Sequence, residues 1–198
     1  MTSISKKTNT SDKYWKEFKE FLDEFKGETD RAAVIVGAAK LDLIMYQILQ
    51  RFLLPSPGGS DDLFEGDSPL STLSSKINIL YRLGLIDATF ARALHLVRRI
   101  RNDFAHEVTG CDLASGTHRN RVRELIAPLE DYEIVQGIQN RFFTTTKGPS
   151  ADFRTALAIL AGRLEGICIR NEPLKPFSDS KLVRDNWKMK KTKDKQPE

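Results

Sequence analysis

The chain has 198 residues, with 31 Lys+Arg against 27 Asp+Glu, 40% hydrophobic residues and two Cys, the profile of one soluble globular domain with polar ends and no second large domain. Two Cys cannot make a dense disulfide framework, and neither belongs to a C-x-x-C pair or a Cys/His cluster at metal-ligand spacing, so a structural zinc site is disfavoured and the compartment reads as reducing. The formal net charge of +4 is uneven: residues 172–198 hold eight basic and five acidic side chains, which leaves a nearly neutral body without the broad basic face of a dedicated duplex binder.

Residues 1–11 (MTSISKKTNTS) lack hydrophobic periodicity and read as a disordered lead, with Ser11 as the N-cap of a first helix over 12–26 that Gly27 ends. In that helix Tyr14, Phe18, Phe21, Leu22 and Phe25 recur at three- and four-residue spacing, a stripe that belongs to a core. From Thr29 to Leu54 the chain is apolar on nearly every side through Ala32–Ala39, as a central helix packed on several neighbours would be, and its small residues permit close approach of another helix. This run, closed by Lys40, falls far short of a membrane span, and the amino terminus has no signal-peptide core. The expectation is a cytoplasmic protein with no membrane partner.

Residues 55–69 (PSPGGSDDLFEGDSP) form a loop, mobile or functional. A helix is predicted from Pro69 to Leu83, burying Leu70, Leu73, Ile77 and Leu80 and stopping at Gly84; Asp87 then opens a fourth helix that reaches His106. After a loop with Gly110 and Gly116, Thr117 caps a short helix bearing Val122, Leu125, Ile126 and Leu129, and the stretch through Phe143 is ambiguous. The last helix spans 151–170, where Phe153, Ala156, Leu157, Leu160, Leu164, Ile167 and Cys168 repeat at helical spacing, so Cys168 reads as a core thiol. No region alternates with period two. The fold class is therefore all-α: a compact bundle of about six helices over 12–171, followed by a flexible basic tail over 172–198.

The fourth helix holds the chemistry. At 100° per residue Phe90, Ala93, Val97, Ile100 and Phe104 share one face, while Arg92, His95, Arg99, Asn102 and His106 line the other. Arg101 lies about 140° from His106 on an ideal helix, so the two converge only through the arginine's length, a helix end or a partner subunit. An Arg and a His with a nearby Asn suit an RNA phosphodiester, because His moves a proton near neutral pH while Arg holds the phosphate; no metal is needed. Such a site would turn the ribose 2′-hydroxyl on its own phosphate. The competing reading is a solvated helix face that ends in a histidine, where positive charge is favoured anyway.

The segment Ile100-Arg101-Asn102-Asp103-Phe104-Ala105-His106 resembles the R-x4-6-H motif of the HEPN superfamily, small helical proteins that often dimerise and include metal-independent ribonucleases and toxins. Four blocks in order, Thr29–Asp42, Leu63–Leu70, Leu83–Asp87 and Arg101–His106, together resemble the mannitol operon repressor family and span residues from about 15 to 130. This resemblance implies an HEPN-like, all-helical, homodimeric transcriptional regulator without an obvious DNA-reading motif. On the HEPN pattern Arg101 and His106 are the matching active-site positions and Asn102 follows the arginine; nothing else transfers. Asp30, Arg31 and Asp42 match the first block, either as ligand-binding residues or with Asp30 favouring its helix N-terminus while Arg31 and Asp42 pair on neighbouring surfaces.

Other signals are thinner. The connection Leu83-Gly84-Leu85-Ile86-Asp87 suggests a helix-turn-helix, but the helix after it opens with an acid and small or apolar residues instead of base-reading side chains. Lys188–Lys195 with Trp187 reads as a basic nucleic-acid arm or as a soluble tail. No phosphate-loop, dinucleotide, zinc-protease or serine-esterase motif is present. His118 reads as isolated in a solvated helix start, and Cys111 as an exposed loop thiol without a resolving cysteine. The expectation is thus a regulator that binds a protein partner, RNA or DNA and needs no cofactor or metal, with His95, Arg99, Asp30 and Arg31 as binding residues. The alternative is a metal-independent, toxin-like endoribonuclease in which His106 transfers the proton, Arg101 holds the phosphate and Asn102 orients the site.

Overall fold

Three helices start at a short polar side chain that accepts a backbone N–H from the first turn. Thr29 accepts from Ala32 at 3.2 Å, Thr72 from Ser75 at 3.1 Å, and Asp87 from Phe90 at 2.8 Å. They open α2 (Asp30–Phe52), α3 (Leu73–Arg82) and α4 (Ala88–His106), which follow a short α1 to which residues 19–23 and 25 belong. Then come α5 (Gly116–Ile126) with a 3-10 turn (Ala127–Leu129), α6 (Tyr132–Phe142) and α7 (Pro149–Arg170), the last with Pro in its first turn, where the missing N–H costs nothing. The computed structural model describes residues 19–23, 25–56, 63–107, 110–129 and 132–175, and among them there is no strand. The lead over 1–11, the Ser11 cap, Tyr14, Phe18 and the Lys188–Lys195 arm lie outside the described residues.

α2 and α7 form the central pair. α3 and α4 pack on α2, α5 and α6 pack on α7, and α4 also meets α3 and α5. The two helices pack tightly at Gly37, where an added Cβ would press into the Leu157 side chain and lie 3.3 Å from the Phe25 ring. Phe104, Ile100, Phe153, Leu160 and Met45 are completely buried in the shared core. Between α3 and α4 the chain reverses through Gly84 at φ 71°, whose N–H bonds the Tyr81 carbonyl while Leu85 N–H bonds Leu80, a Schellman closure that a left-handed glycine makes easy.

The structure corrects several expectations. α3 begins at Leu73 and not at Pro69, because residues 63–71 close on themselves in turns, with Leu70 N–H on the Leu63 carbonyl at 2.8 Å. α5 begins at Gly116, ahead of Thr117, and the side chain that organises its approach is Asp112, whose Oδ1 takes the N–H groups of Ala114 and Ser115 at 2.7 Å each. The ambiguous stretch before Phe143 is helix α6. Cys168 is only half-buried at the edge of the core, with Arg51 Nη1 3.9 Å from its sulfur. α2 is long and apolar enough to cross a membrane, yet it packs as a core helix on one side and leaves Ile35, Val36 and Leu43 exposed on the other.

Candidate functional site

The amphipathic pattern of α4 holds: Phe90, Ala93, Val97, Ile100 and Phe104 are all buried. Its polar face opens on a cleft of about 780 Å³, closed on one side by Asn78 and Tyr81 of α3 and on the other by Glu124 of α5. Arg92, His95, Arg98 and Arg99 line it. His95 Nε2 lies 3.1 Å from Asn78 Oδ1, so the ring donates there and presents Nδ1 as an acceptor. Burial, and then the charges of Arg98 and Arg99, hold the His95 imidazole below its usual pKa. Arg92 forks onto Glu124 Oε1 with Nε at 2.7 Å, but both side chains are well exposed and the pair is worth little. Arg98 Nε is buried with no hydrogen-bond partner among the described residues. The cleft is therefore rich in cationic donors that internal pairing leaves unspent, the chemistry of a surface for carboxylates or phosphates.

The other predicted residues stand elsewhere. Arg101, Asn102 and His106 do not line this cleft; Arg101 and Asn102 are half-buried, His106 is exposed, and none of their side chains bonds another described residue. Arg31 spans to the end of α4, its guanidinium bonding the Phe104 and Glu107 carbonyls, the second from Nη2 at 2.5 Å. It thus satisfies carbonyls that the helix end leaves open. Asp42 pairs with Lys76 of the neighbouring α3 at 2.8 Å. Asp30 faces α7, taking Arg154 Nη1 at 2.9 Å, the Ser150 hydroxyl, and the Leu113 N–H at 3.4 Å. Asp30 and Arg31 are both committed to holding helices together.

Sequence reasoning missed a second cluster. His118 is not isolated: its side chain is 12% exposed, its ring lies 5.1 Å from that of Phe104, and Nε2 is 3.3 Å from Asp103 Oδ2. Its Nδ1 lies 3.1 Å from the Asp112 carbonyl, and Arg121 also pairs with Asp103. Next to it Cys111 donates its thiol to Glu107 Oε2 at 2.8 Å, and donor atoms of Glu107, Cys111 and His118 all fall within 4.8 Å of one another. Partial burial, then the hydrogen bond and charge of Glu107, push the Cys111 thiol up to about 11. Glu107 and Cys111 four residues apart, with a histidine seven residues on, were the available signal; it lacks a cysteine pair and reads as nothing without the loop geometry.

No protein-family model and no curated protein matches the sequence. Among solved structures, a chain in the X-ray structure of the MtlR-HPr complex from Escherichia coli is similar to this chain with a TM-score of 0.57 and 19% identity, over 75% of this chain and 98% of that one. At that identity the likeness is one of fold, and the fold is MtlR-like.

Proposed function

We propose that the chain is a regulator of the mannitol operon repressor type that acts by seating an acidic protein surface on the α4 cleft. The observation that carries this reading is the group of Arg92, His95, Arg98 and Arg99 along one wall of an open cleft, three of them without an ion pair among the described residues. The fold it shares with a chain in the X-ray structure of an MtlR-HPr complex supports a protein as the occupant. Base reading has less support, since Phe90 and Ala91 in the first turn of α4 are buried and unavailable to a DNA groove. Titration of the full chain with the HPr protein of the same cell tests the reading. Binding that Arg99→Glu and Arg98→Glu weaken at least tenfold supports it; binding indifferent to both moves the partner surface elsewhere.

The expected homodimer would use the open face of α2, where Ile35, Val36 and Leu43 are exposed in one stretch. Sedimentation of the parent and of Val36→Asp across a wide concentration range decides it, a monomer throughout for the parent being the refuting result.

One observation favours the ribonuclease reading: Arg101, Asn102 and His106 are uncommitted among the described residues, while Arg31, Asp103 and Arg121 around them are engaged. Incubation with mixed RNA in EDTA tests it. Products with 2′,3′-cyclic phosphate ends from the parent, and none from folded His106→Ala or Arg101→Ala, would establish the activity, and an absence of products at high protein concentration would remove it.

A further inference from the structure

We propose that Glu107, Cys111 and His118 form a binding site for a divalent transition metal, with Zn²⁺ as the ion their donor set matches, linking the C-terminal end of α4 to the start of α5. The geometry comes first. A carboxylate oxygen, a sulfur and an imidazole nitrogen lie within 4.8 Å of one another, and the thiol already sits 2.8 Å from the carboxylate. Sulfur and imidazole select a borderline ion over Mg²⁺ or Ca²⁺, which take oxygen ligands.

The surroundings suit an ion as well. A ring that donates Nδ1–H to the Asp112 carbonyl, 3.1 Å away, presents an unprotonated Nε2; a backbone carbonyl on the far nitrogen is the usual way a ligating histidine is held. Turning Nε2 to an ion gives up its contact with Asp103, but Asp103 keeps Arg121. The nearby Arg31 guanidinium is spent on the Phe104 and Glu107 carbonyls, which also holds Glu107 in place. On binding, Cys111 releases its proton to solvent, and the resulting thiolate with the Glu107 carboxylate balances the charge of the ion. Three protein ligands leave a fourth position for water. The site does not depend on the partner reading of the α4 cleft, and it joins Glu107 at the C-terminal end of α4 to Cys111 and His118.

The test titrates the reduced, metal-free full chain with Co²⁺ and follows thiolate-to-metal absorption in the near ultraviolet. A single equivalent should give the band, and Zn²⁺ should abolish it. Cys111→Ser should lose the band, Cys168→Ser should keep it, and His118→Gln should weaken binding at least tenfold. Because the His118 ring packs on Phe104, Glu107→Gln at the exposed end of the site serves as the second variant, with the same expected loss. A folded parent that gives no thiolate band, or a band that survives Cys111→Ser, overturns the proposal.

Discussion

Arg154 of α7 sets Nη1 2.9 Å from Asp30 Oδ1 at the start of α2, and the arginine side chain in this pair is only 2% exposed against 25% for the aspartate. Nη2 of the same guanidinium bonds the Glu28 carbonyl at 2.7 Å, so one cation holds both the entry to α2 and its first residue. The asymmetry of burial decides what each substitution does. Asp30→Asn leaves a buried guanidinium without its counter-charge and should cost about 3–5 kcal/mol, whereas Arg154→Met leaves a carboxylate that water still reaches and should cost less. Urea unfolding of the two variants orders them. Burial pushes the Asp30 carboxyl up, but the Ser150 hydrogen bond and then Arg154 outweigh it and hold the pKa below the ordinary value. A depressed folded pKa contributes stability above the unfolded value of about 3.9 and loses it as pH falls through the folded one. The parent should therefore lose more stability than Asp30→Asn on acidification below about pH 4.

Lys76 and Asp42 make the same point where α3 meets α2. The lysine side chain is 6% exposed and the aspartate 37%. Removing the acid strands a buried ammonium, while removing the base by Lys76→Met fills the space with an apolar chain and frees a wetted carboxylate. Asp42→Asn should destabilise by about 2 kcal/mol or more and Lys76→Met by less than about 1 kcal/mol, and a reversed order in thermal melts would remove the argument.

Gly37 is where α2 lies against α7, and Gly27 before it has open space around it. An added methyl at the first must displace Leu157 inside a packed core, so Gly37→Ala should cost about 1–3 kcal/mol. Gly27→Ala should be neutral or gain up to about 1 kcal/mol through the unfolded chain. Chemical denaturation with both variants measures the contrast directly.

His95 gives the partner reading a pH signature. Burial, then Arg98 and Arg99, disfavours the charged ring in the free protein, and an acidic surface in the cleft would favour it. Binding then takes up a proton. Affinity should rise as pH falls below about 6.5, and His95→Gln should flatten that rise; calorimetry in two buffers of different ionisation heat counts the proton. Affinity that is level across this range excludes His95 from the contact.

Legibility in the sequence followed the range of the interactions. The two faces of α4 and its start at Asp87 depend on residues three or four apart, and they appear where the sequence pattern puts them. The start of α3 was misplaced because Pro69 is acceptable in a first turn but Thr72 supplies the actual acceptor for Ser75. His118 seemed solvated beside Arg119 and Arg121, yet its partner Asp103 comes from a different helix 15 residues back. Arg31 was misassigned for the same reason: its partners are main-chain carbonyls 73 and 76 residues away, which carry no side-chain signature at all.

Asp30 answers to the side chain of Arg154, so in related chains the two positions should change together, an exchange of charges or a joint replacement by apolar residues keeping the contact. Arg31 answers to carbonyl groups that every residue type provides, and no compensating substitution on α4 exists for its loss. Two neighbours at the head of one helix are thus expected to evolve under different rules, the first as half of a covarying couple and the second as a solitary invariant.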